Sequence, residues 1–267
     1  MGEALAILSS EGPGAYPLAG GTDVVVKIRA GLLRPSLLVD IGRLDLGGIH
    51  PSAEDVIIGA TATMAEIQRD PTVRECFPGL AQAAAKLGAN QIQHMATVGG
   101  NLCNASPAAD AVCALVALEA KVMVRSVNGV RLVPIPEFLT GPGQTILEPG
   151  ELVQAVSVPR YRGEGRVVQT FNKVGGRNAL VCSLAAVAGW TRLDGNRVVE
   201  SRLSLAAVGP TTLRAPRAES LIAGEGLTDE LCRTAAAAAA AEATPIDDHR
   251  ATGAYRERLV AALVREH

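Results

Sequence analysis

The sequence contains few aromatic residues and no excess of basic charge. Three Phe, three Tyr and one Trp are all the aromatic side chains in 267 residues, so we expect none of the stacked-ring surfaces that bind single-stranded nucleic acids. Acidic and basic residues are interleaved and the formal net charge at pH 7 is −2, which argues against a basic field for DNA, RNA or anionic lipid. We therefore predict no nucleic-acid partner.

Metal ligands and long apolar runs are scarce as well. The five cysteines show no C-x-x-C spacing, and the four histidines are scattered along the chain. These features argue against a zinc or iron–sulfur site in this chain and predict a reduced, cytoplasmic protein. The N-terminal segment lacks a basic region, and the apolar runs fall far below the ~18 residues of a spanning helix, so we expect no export signal and no membrane span.

The order of the predicted elements indicates an α+β chain of two domains. Residues 1–150 are predicted to form a first domain with subdomains at about 1–50 and 51–150, and residues 151–267 a second domain. The second is predicted to consist of an antiparallel sheet followed by helices, because strand-like runs and a hairpin signal precede alanine-rich helical runs.

Apolar periodicity and turn residues predict the individual elements. A capping box at Thr63 and Glu66 predicts the start of a helix. In the first domain we further predict a helix at Glu3–Leu8, a strand at Tyr16–Ala19, a helix from Thr22 to about Ala30, a buried strand at Leu37–Ile41, a strand at Val56–Ala60, one long helix at Pro71–Leu87, and a hairpin of Lys121–Val127 and Val130–Ile135. In the second we predict strands at Leu152–Val158, Val167–Val174, Leu180–Arg192 and Arg197–Val208, then helices at Leu213–Ala223, Thr228–Ala243 and Ile246–Arg265.

A first glycine-rich stretch, Tyr16–Gly31, is a candidate ligand site. A predicted strand runs into Gly20-Gly21, and a helix is predicted to start at Thr22. Consecutive backbone N–H groups at such a point form a concavity that suits a pyrophosphate. The stretch matches neither the Rossmann nor the P-loop pattern. The alternative is that the two glycines form only a tight turn.

A second stretch, Ala96–Val112, has the same character. Its Gly99-Gly100 pair is expected to lie in a loop whose backbone can be approached closely, with Thr97 and Asn101 adding side-chain hydrogen bonds. One ligand held between two α+β units accounts for both stretches.

The second stretch also carries an acidic residue at the start of a helix. Ser106 is predicted as the N-cap and Pro107 as the first helical residue, which makes Asp110 the fourth. The cap then leaves the Asp110 carboxylate available to accept hydrogen bonds from sugar hydroxyls. The alternative is that Asp110 only complements the helix dipole.

Lys173 is one of only four lysines and lies in a predicted strand, within TFNKVGGRNA, beside a third Gly-Gly pair. Two interpretations remain open. It is either a solvated strand residue or a cation placed near the negative charge that a reduced cofactor would carry.

Three segments together resemble a known family. They are AGGTD at Ala19–Asp23, TVGGNLCNASPAAD at Thr97–Asp110 and DDHRATGAYRERL at Asp247–Leu259. In order, and over nearly the whole chain, they resemble the FAD-binding medium subunit of molybdenum hydroxylases, a group that includes aerobic carbon monoxide dehydrogenase and the flavin domain of xanthine dehydrogenase. The resemblance implies a vanillyl-alcohol-oxidase-type FAD-binding fold of two α+β subdomains, followed by a C-terminal domain of antiparallel sheet and helices.

The resemblance also implies which residues hold FAD. The first stretch would surround the pyrophosphate, the second would contact the pyrophosphate and ribityl region, and Lys173 would lie near the flavin ring. The implied cofactor-binding residues are Ala19, Gly20, Gly21, Thr22, Asp23, Leu87, Thr97, Gly100, Asn101, Asp110, Val153 and Lys173.

Three departures from the family pattern qualify this assignment. The strand that the family places before the first helix is short or missing. Thr22 stands where many family oxidases carry a histidine bonded covalently to the flavin, so we expect noncovalent FAD. The cysteine-rich insertion that gives some relatives an extra iron–sulfur cluster is also missing.

The implied function is electron transfer within a larger enzyme. Electrons from a large molybdenum-cofactor subunit would pass through a small iron–sulfur subunit to FAD on this chain, then to NAD, a quinone or another acceptor, in a dimer of heterotrimers. The sequence shows no acid, base or nucleophile cluster directed at a substrate, which favours this reading. The alternatives are a self-contained flavin oxidase or dehydrogenase of the vanillyl-alcohol-oxidase type, and a non-enzymatic nucleotide-binding or assembly module.

Overall fold

The computed structural model describes residues 1–177 and 180–267. The helices are α1 (Gly2–Glu11), α2 (Val24–Arg29), α3 (Met64–Arg69), α4 (Pro71–Cys76), α5 (Pro78–Lys86), α6 (Asn90–Gln93), α7 (Val98–Asn104), α8 (Asp110–Ala117), α9 (Ile135–Phe138), α10 (Pro216–Ile222), α11 (Asp229–Glu242) and α12 (Gly253–Arg265). The strands are β1 (Ala15–Leu18), β2 (Leu37–Asp40), β3 (Ile49–Pro51), β4 (Asp55–Gly59), β5 (Lys121–Ser126), β6 (Gly129–Pro134), β7 (Leu139–Gly141), β8 (Gln144–Thr145), β9 (Leu152–Pro159), β10 (Arg166–Val174), β11 (Ala185–Asp194), β12 (Arg197–Ala206) and β13 (Leu213–Arg214). The α+β prediction is confirmed.

The N-terminal part begins with a small parallel sheet of β1 and β2, with α1 packed beside it. The strand predicted at Leu37–Ile41 was expected to be buried, and this is wrong for part of it. Val39 and Ile41 are buried, whereas Leu37 and Leu38 are each 40% exposed. An apolar run alone does not determine burial, because a strand of a two-stranded sheet has few neighbours to cover it.

The next unit is a five-stranded antiparallel sheet in the order β3-β4-β9-β5-β6. The predicted hairpin around Asn128-Gly129 is confirmed as β5 and β6. The strand β9 lies in the middle of this sheet, paired with β4 and β5. The prediction that Leu152–Val158 shares a sheet with the later strands is therefore wrong, because strand pairing across the chain is decided by packing rather than by sequence order.

The helices of this unit begin and end at local signals. The capping box at Thr63 and Glu66 is confirmed, with both reciprocal hydrogen bonds present at the start of α3. Pro71–Leu87 is not one helix but two, α4 and α5. Phe77 separates them with φ −135° and ψ 55°, because the ring of Pro78 disfavours helical backbone at the preceding residue.

The C-terminal part is an antiparallel sheet of β10-β11-β12-β13 with α10, α11 and α12 against one face. The strand predicted at Leu180–Arg192 begins only at Ala185. The helix predicted from Ile246 begins only at Gly253, because the carboxylates of Asp247 and Asp248 accept backbone N–H bonds in the preceding turn. Asn178 and Ala179, at the end of the stretch containing Lys173, lie outside the described residues.

The helix α8 joins the two parts. All eight of its residues are buried, and the core around it includes Ala186, Ala188 and Trp190 of β11. The Cys113 thiol contacts the backbone carbonyl oxygen of Ser204 in β12 at 3.4 Å. Among residues 1–177 and 180–267, no helix has both the length and the apolar character needed to cross a membrane.

Candidate functional site

The Gly20-Gly21 pair of the first glycine-rich stretch lies in the loop between β1 and α2, as predicted. Gly21 has a left-handed backbone with φ 72°, which favours glycine. A Cβ atom on Gly20 would overlap the carbonyl oxygen of Met95, so the loop lies directly against the residue that precedes the second stretch. The tight turn and the close backbone approach are therefore both present.

The second stretch begins a helix where a loop was expected. Thr97 is the N-cap of α7, and its hydroxyl oxygen accepts a hydrogen bond from the Gly100 N–H at 3.1 Å. Because Gly99 and Gly100 lie inside α7, the prediction of a loop is wrong at this point. Gly99 is nevertheless required by packing, since a Cβ atom there would lie 2.9 Å from the carbonyl oxygen of Ala60.

The two stretches meet a second time at the end of α7. The side-chain amide of Asn104 donates to the Asp23 carboxylate at 3.0 Å and accepts from the Lys27 ammonium at 2.7 Å. The contact between Gly20 and Met95 lies just before α7, and the bonds of Asn104 lie at its last residue. The first stretch is therefore held against α7 at two places. The two stretches therefore lie side by side, and the ligand expected between them stays a prediction.

Asp110 is the first residue of α8 rather than the fourth. The Ser106 hydroxyl accepts from the Ala108 N–H at 3.3 Å and the Ser106 carbonyl accepts from the Ala109 N–H at 3.1 Å. These bonds make a turn that delays the helix, with Ala109 in the N-cap position. The predicted cap at Ser106 is therefore wrong.

The Asp110 carboxylate is buried and already bonded on both oxygens. Oδ2 lies 2.6 Å from the Lys173 ammonium, and Oδ1 accepts from the Ser183 hydroxyl at 2.7 Å. Burial raises the pKa of this carboxyl, and the contacts with Lys173 and Ser183 partly oppose that effect. The prediction of a free carboxylate is wrong, because residues far along the chain supply its partners.

Lys173 is not a solvated strand residue, since its side chain is only 8% exposed. Besides Asp110, its ammonium donates to the backbone carbonyl oxygen of Lys86 at 3.0 Å. Lys86 in turn donates to the carbonyl oxygen of Phe171 at 3.0 Å. Burial, followed by the nearby charge of Lys173, lowers the pKa of Lys86. The strand β10 is thus tied to the end of α5 by two lysines.

Two aliphatic candidates differ in accessibility. Leu87 follows α5 directly and is half-buried, and its carbonyl oxygen accepts from Gln93 at 3.0 Å. Val153 is 4% exposed in β9, opposite Val124, so its side chain belongs to the core. Of the pair, Leu87 has the more accessible surface for a ligand.

Asn101 carries an unpaired polar atom. Its side-chain oxygen is buried and has no hydrogen-bond partner among the residues that the structure describes. A buried acceptor without a donor is costly, and a ligand that donates a hydrogen bond there would satisfy it. FAD offers ribose and ribityl hydroxyls and N–H groups, and the residues of the two stretches fit it.

Sequence reasoning missed three residues of the site. Asn104 lies inside the second stretch, and its position at the end of α7 became informative only once the helix was known. Met95 contacts Gly20 through its backbone carbonyl, and Ser183 donates from its hydroxyl to Asp110. Both residues are far in sequence from these partners. Within residues 1–177 and 180–267 there is also no group of three His, Cys, Asp or Glu side chains arranged to hold a metal ion.

Two family models match consecutive parts of the chain. The FAD binding domain in molybdopterin dehydrogenase matches residues 1–161, and the CO dehydrogenase flavoprotein C-terminal domain matches residues 170–267. Among relatives, the carbon monoxide dehydrogenase medium chain of Hydrogenophaga pseudoflava is 31% identical over 267 residues, covering 99% of this chain and 92% of the relative. A putative xanthine dehydrogenase FAD-binding subunit of Escherichia coli is 32% identical over 261 residues, covering 97% and 89%.

Solved structures agree. Carbon monoxide dehydrogenase from Hydrogenophaga pseudoflava, in a form lacking the Mo-pyranopterin moiety, superimposes with a TM-score of 0.95 at 31% identity, covering 99% of this chain and 92% of that one. Quinoline 2-oxidoreductase from Pseudomonas putida 86 superimposes with a TM-score of 0.93 at 28% identity, covering 100% and 92%.

Fold and site together define a flavoprotein in which two glycine-rich segments meet beside an unpaired buried acceptor. The chain belongs to the family of FAD-binding medium subunits of molybdenum hydroxylases. Its cofactor is FAD, and it is a FAD-containing subunit of an oxidoreductase. The resemblance drawn from the three sequence segments is confirmed.

Proposed function

We propose that this chain passes electrons from iron–sulfur clusters on a small partner subunit, through its FAD, to an external acceptor such as NAD or a quinone. Oxidation of the substrate itself belongs to a large molybdenum-cofactor subunit. Relatives named as medium chains support a partnered role, as does the FAD-binding family match. We further propose a dimer of heterotrimers located in the cytoplasm, where the five free cysteines stay reduced.

The single observation that carries the FAD placement is the meeting of the two glycine-rich stretches. Gly20 lies against Met95, and Asp23 is bonded to Asn104, so both sides of one ligand site are contiguous. In this proposal Ala19–Asp23 surround the pyrophosphate. Thr97, Gly100 and Asn101 contact the pyrophosphate and ribityl region.

The unpaired Asn101 oxygen supports the ribityl side of this placement, because it needs a donor and a hydroxyl supplies one. In this proposal Leu87 contributes accessible aliphatic surface, and Val153 lines the ligand only with the small part of its side chain that is left exposed in β9. Asp110 accepts from FAD through a remaining lone pair while its bonds to Lys173 and Ser183 keep it oriented. The division into a FAD-binding domain at 1–150 and a C-terminal domain at 151–267 stays a prediction.

FAD supplies a two-electron carrier that also exchanges single electrons, which is the chemistry that links iron–sulfur clusters to NAD or a quinone. The chain's own residues bind and orient it. The Thr97 hydroxyl fixes the first turn of α7, and the buried Lys173 supplies a positive charge paired with Asp110.

The experiment that tests this proposal is anaerobic. The isolated FAD-loaded chain is mixed with candidate substrates of molybdenum hydroxylases, and the visible flavin absorption is followed. The same titration is repeated with the complex reconstituted from the co-expressed large and small subunits. We expect bleaching only in the complex.

Bleaching of the isolated chain by an organic or gaseous substrate would contradict electron transfer and favour a self-contained flavin oxidase or dehydrogenase. Purification of a stable chain that takes up no flavin would instead favour a nucleotide-binding or assembly module. As a site control, Gly100→Val is expected to lower flavin occupancy, because the new side chain would press on the Thr97 hydroxyl 2.9 Å from the Cβ position.

A further inference from the structure

We propose that Asn104 is a positioning residue for FAD, which sets the spacing of the two glycine-rich stretches and the rotation of α7 within the second stretch. This inference rests on the proposed placement of FAD between those stretches. Asn104 lies at the end of α7 and contacts Lys27 in α2, the helix of the first stretch.

The amide of Asn104 is matched to its neighbours by polarity. Its nitrogen donates to the Asp23 carboxylate at 3.0 Å, and its oxygen accepts from the Lys27 ammonium at 2.7 Å. Asp23 is the N-cap of α2 and Lys27 lies in its last turn, four residues later, so their side chains lie on one helix face. The Asp23 carboxylate can only accept and the Lys27 ammonium can only donate, so the amide nitrogen of Asn104 must point to Asp23 and its oxygen to Lys27.

This bond is the second of two contacts between the stretches. The first, between Gly20 and the carbonyl of Met95, is a backbone contact at the approach to α7. The second, through Asn104, is a side-chain contact at the end of α7. One contact just before a short helix and one at its last residue fix its direction relative to the loop, whereas one contact would leave it free to pivot.

The same contact determines where Asn101 points. Asn101 lies three residues before Asn104, so the two side chains project from neighbouring positions on one face of α7. The oxygen of Asn101 is buried and unpaired among the described residues, and its direction depends on the rotation of the helix. Loss of the Asn104 bonds is therefore expected to weaken FAD binding without removing a direct ligand contact.

The residues around Asn104 are closely packed at the end of α7. Ala105, directly after it, has φ 46° and ends the helix in a left-handed conformation. Burial raises the pKa of the preceding Cys103 thiol to about 12, which reflects close packing at this end of α7. Burial, and then the charges of Cys103 and Asp23, also raise the pKa of Tyr16 in β1, so β1, the loop and α7 converge here.

The test uses the full chain in its apo form, titrated with FAD. Asn104→Ala is expected to raise the FAD dissociation constant about tenfold, equivalent to about 1.4 kcal/mol. The visible circular dichroism of the bound flavin should also change, while the melting temperature of the apoprotein stays within about 3 °C of the parent. Asn128→Ala, at the exposed β5–β6 turn, is the matched control and should leave the dissociation constant unchanged.

A pair of variants that exchanges the carboxylate and the amide between Asn104 and Asp23 distinguishes a positioning role from a general loss of stability. Asn104→Asp keeps the bond to Lys27 but sets a second carboxylate against Asp23, and it should raise the dissociation constant at least as much as Asn104→Ala. Adding Asp23→Asn restores a donor opposite the new carboxylate, and the double variant should recover to within about threefold of the parent. Because Asp23 is itself placed at the pyrophosphate, Asp23→Asn alone is titrated as well, and its own effect on the dissociation constant is subtracted. A coupling energy of zero between the two changes would overturn the proposal, even if Asn104→Ala proves too unstable to titrate.

The outcomes also distinguish this inference from the FAD placement. If Gly100→Val loses FAD while Asn104→Ala binds it as the parent does, the positioning role of Asn104 is wrong and the placement stands. If neither variant changes the dissociation constant, the placement between the two stretches fails and the inference fails with it.

Discussion

The Lys173 ammonium lies 2.6 Å from a carboxylate oxygen of Asp110, and both side chains are more than nine-tenths buried. The two residues are 63 positions apart, one in β10 and the other at the start of α8. Their ion pair therefore joins the C-terminal sheet to the helix that follows the second glycine-rich stretch. Ser183 completes the bonds of the carboxylate from a third segment.

Removal of one member of this pair should destabilise the protein strongly. Lys173→Met leaves a buried carboxylate without its cation, and we expect a loss of about 3–5 kcal/mol in the free energy of unfolding. The double variant Lys173→Met/Asp110→Leu should lose clearly less than the two single changes combined. Urea denaturation of the four proteins measures this coupling, and additive losses would show that the pair contributes no coupling energy.

The pair should also tune the flavin. If Lys173 lies near the ring, Lys173→Met lowers the reduction potential of the flavin, because a positive charge that favours the reduced form is lost. Asp110→Asn should raise the potential for the converse reason. Redox titration of the flavin checks both signs, and substrate oxidation at the molybdenum subunit should be unaffected by Lys173→Met. Equal potentials in all variants would place the flavin ring away from this pair.

Stability should fall at acidic pH through His267. Its ring nitrogens bond to the hydroxyls of Thr170 and Thr191, each at 2.7 Å, and a Cβ atom on Gly189 would overlap the ring. Burial lowers the pKa of His267 to about 4. In the unfolded chain His267 takes up a proton near pH 6.5. The neutral, buried ring therefore contributes its full share to the free energy of unfolding above pH 6.5. This share, up to about 3 kcal/mol, is lost as the pH falls toward 4.

The variant His267→Gln isolates this effect. Unfolding free energies are measured for both proteins between pH 7.5 and 4, and the parent should lose more stability than the variant within that window. Parallel curves would mean that His267 titrates normally and is not held in the slot beside Gly189.

Gly20→Ala should disrupt the contact between the two stretches. The new methyl group would overlap the Met95 carbonyl, so the backbone must move apart, at a cost of about 1–3 kcal/mol or more. We expect lower flavin occupancy after purification. Gly2→Ala is the matched control, because a Cβ atom there meets nothing within 4 Å. Equal occupancy in Gly20→Ala and the parent would contradict the close approach.

FAD should be bound without a covalent bond. Thr22 follows Gly20-Gly21 where a histidine would be needed for covalent attachment, and a threonine hydroxyl does not serve that purpose. Precipitation with acid should release the flavin into the supernatant, where its absorption spectrum is recorded. Yellow colour that remains in the washed pellet would show covalent attachment.

Local features of the structure were predictable because they depend on neighbours in sequence. The turn at Gly20-Gly21, the capping box at Thr63 and Glu66, and the hairpin at Asn128-Gly129 each arise from hydrogen bonds or backbone angles within a few residues. The family could be recognised from the sequence for a related reason, because each of its three segments is a short unbroken run of residues.

Features that depend on distant residues appeared only in the tertiary structure. The strand Leu152–Pro159 pairs with β4 and β5 in the five-stranded sheet, although it follows β5 by about 25 residues and β4 by about 90. Sequence alone determined that the chain has two glycine-rich stretches and a lysine in a strand. Only folding decided that the stretches meet through Gly20 and Asn104 and that Lys173 pairs with Asp110, because those contacts join segments separated by about 60 to 80 residues, a separation over which no local pattern carries information.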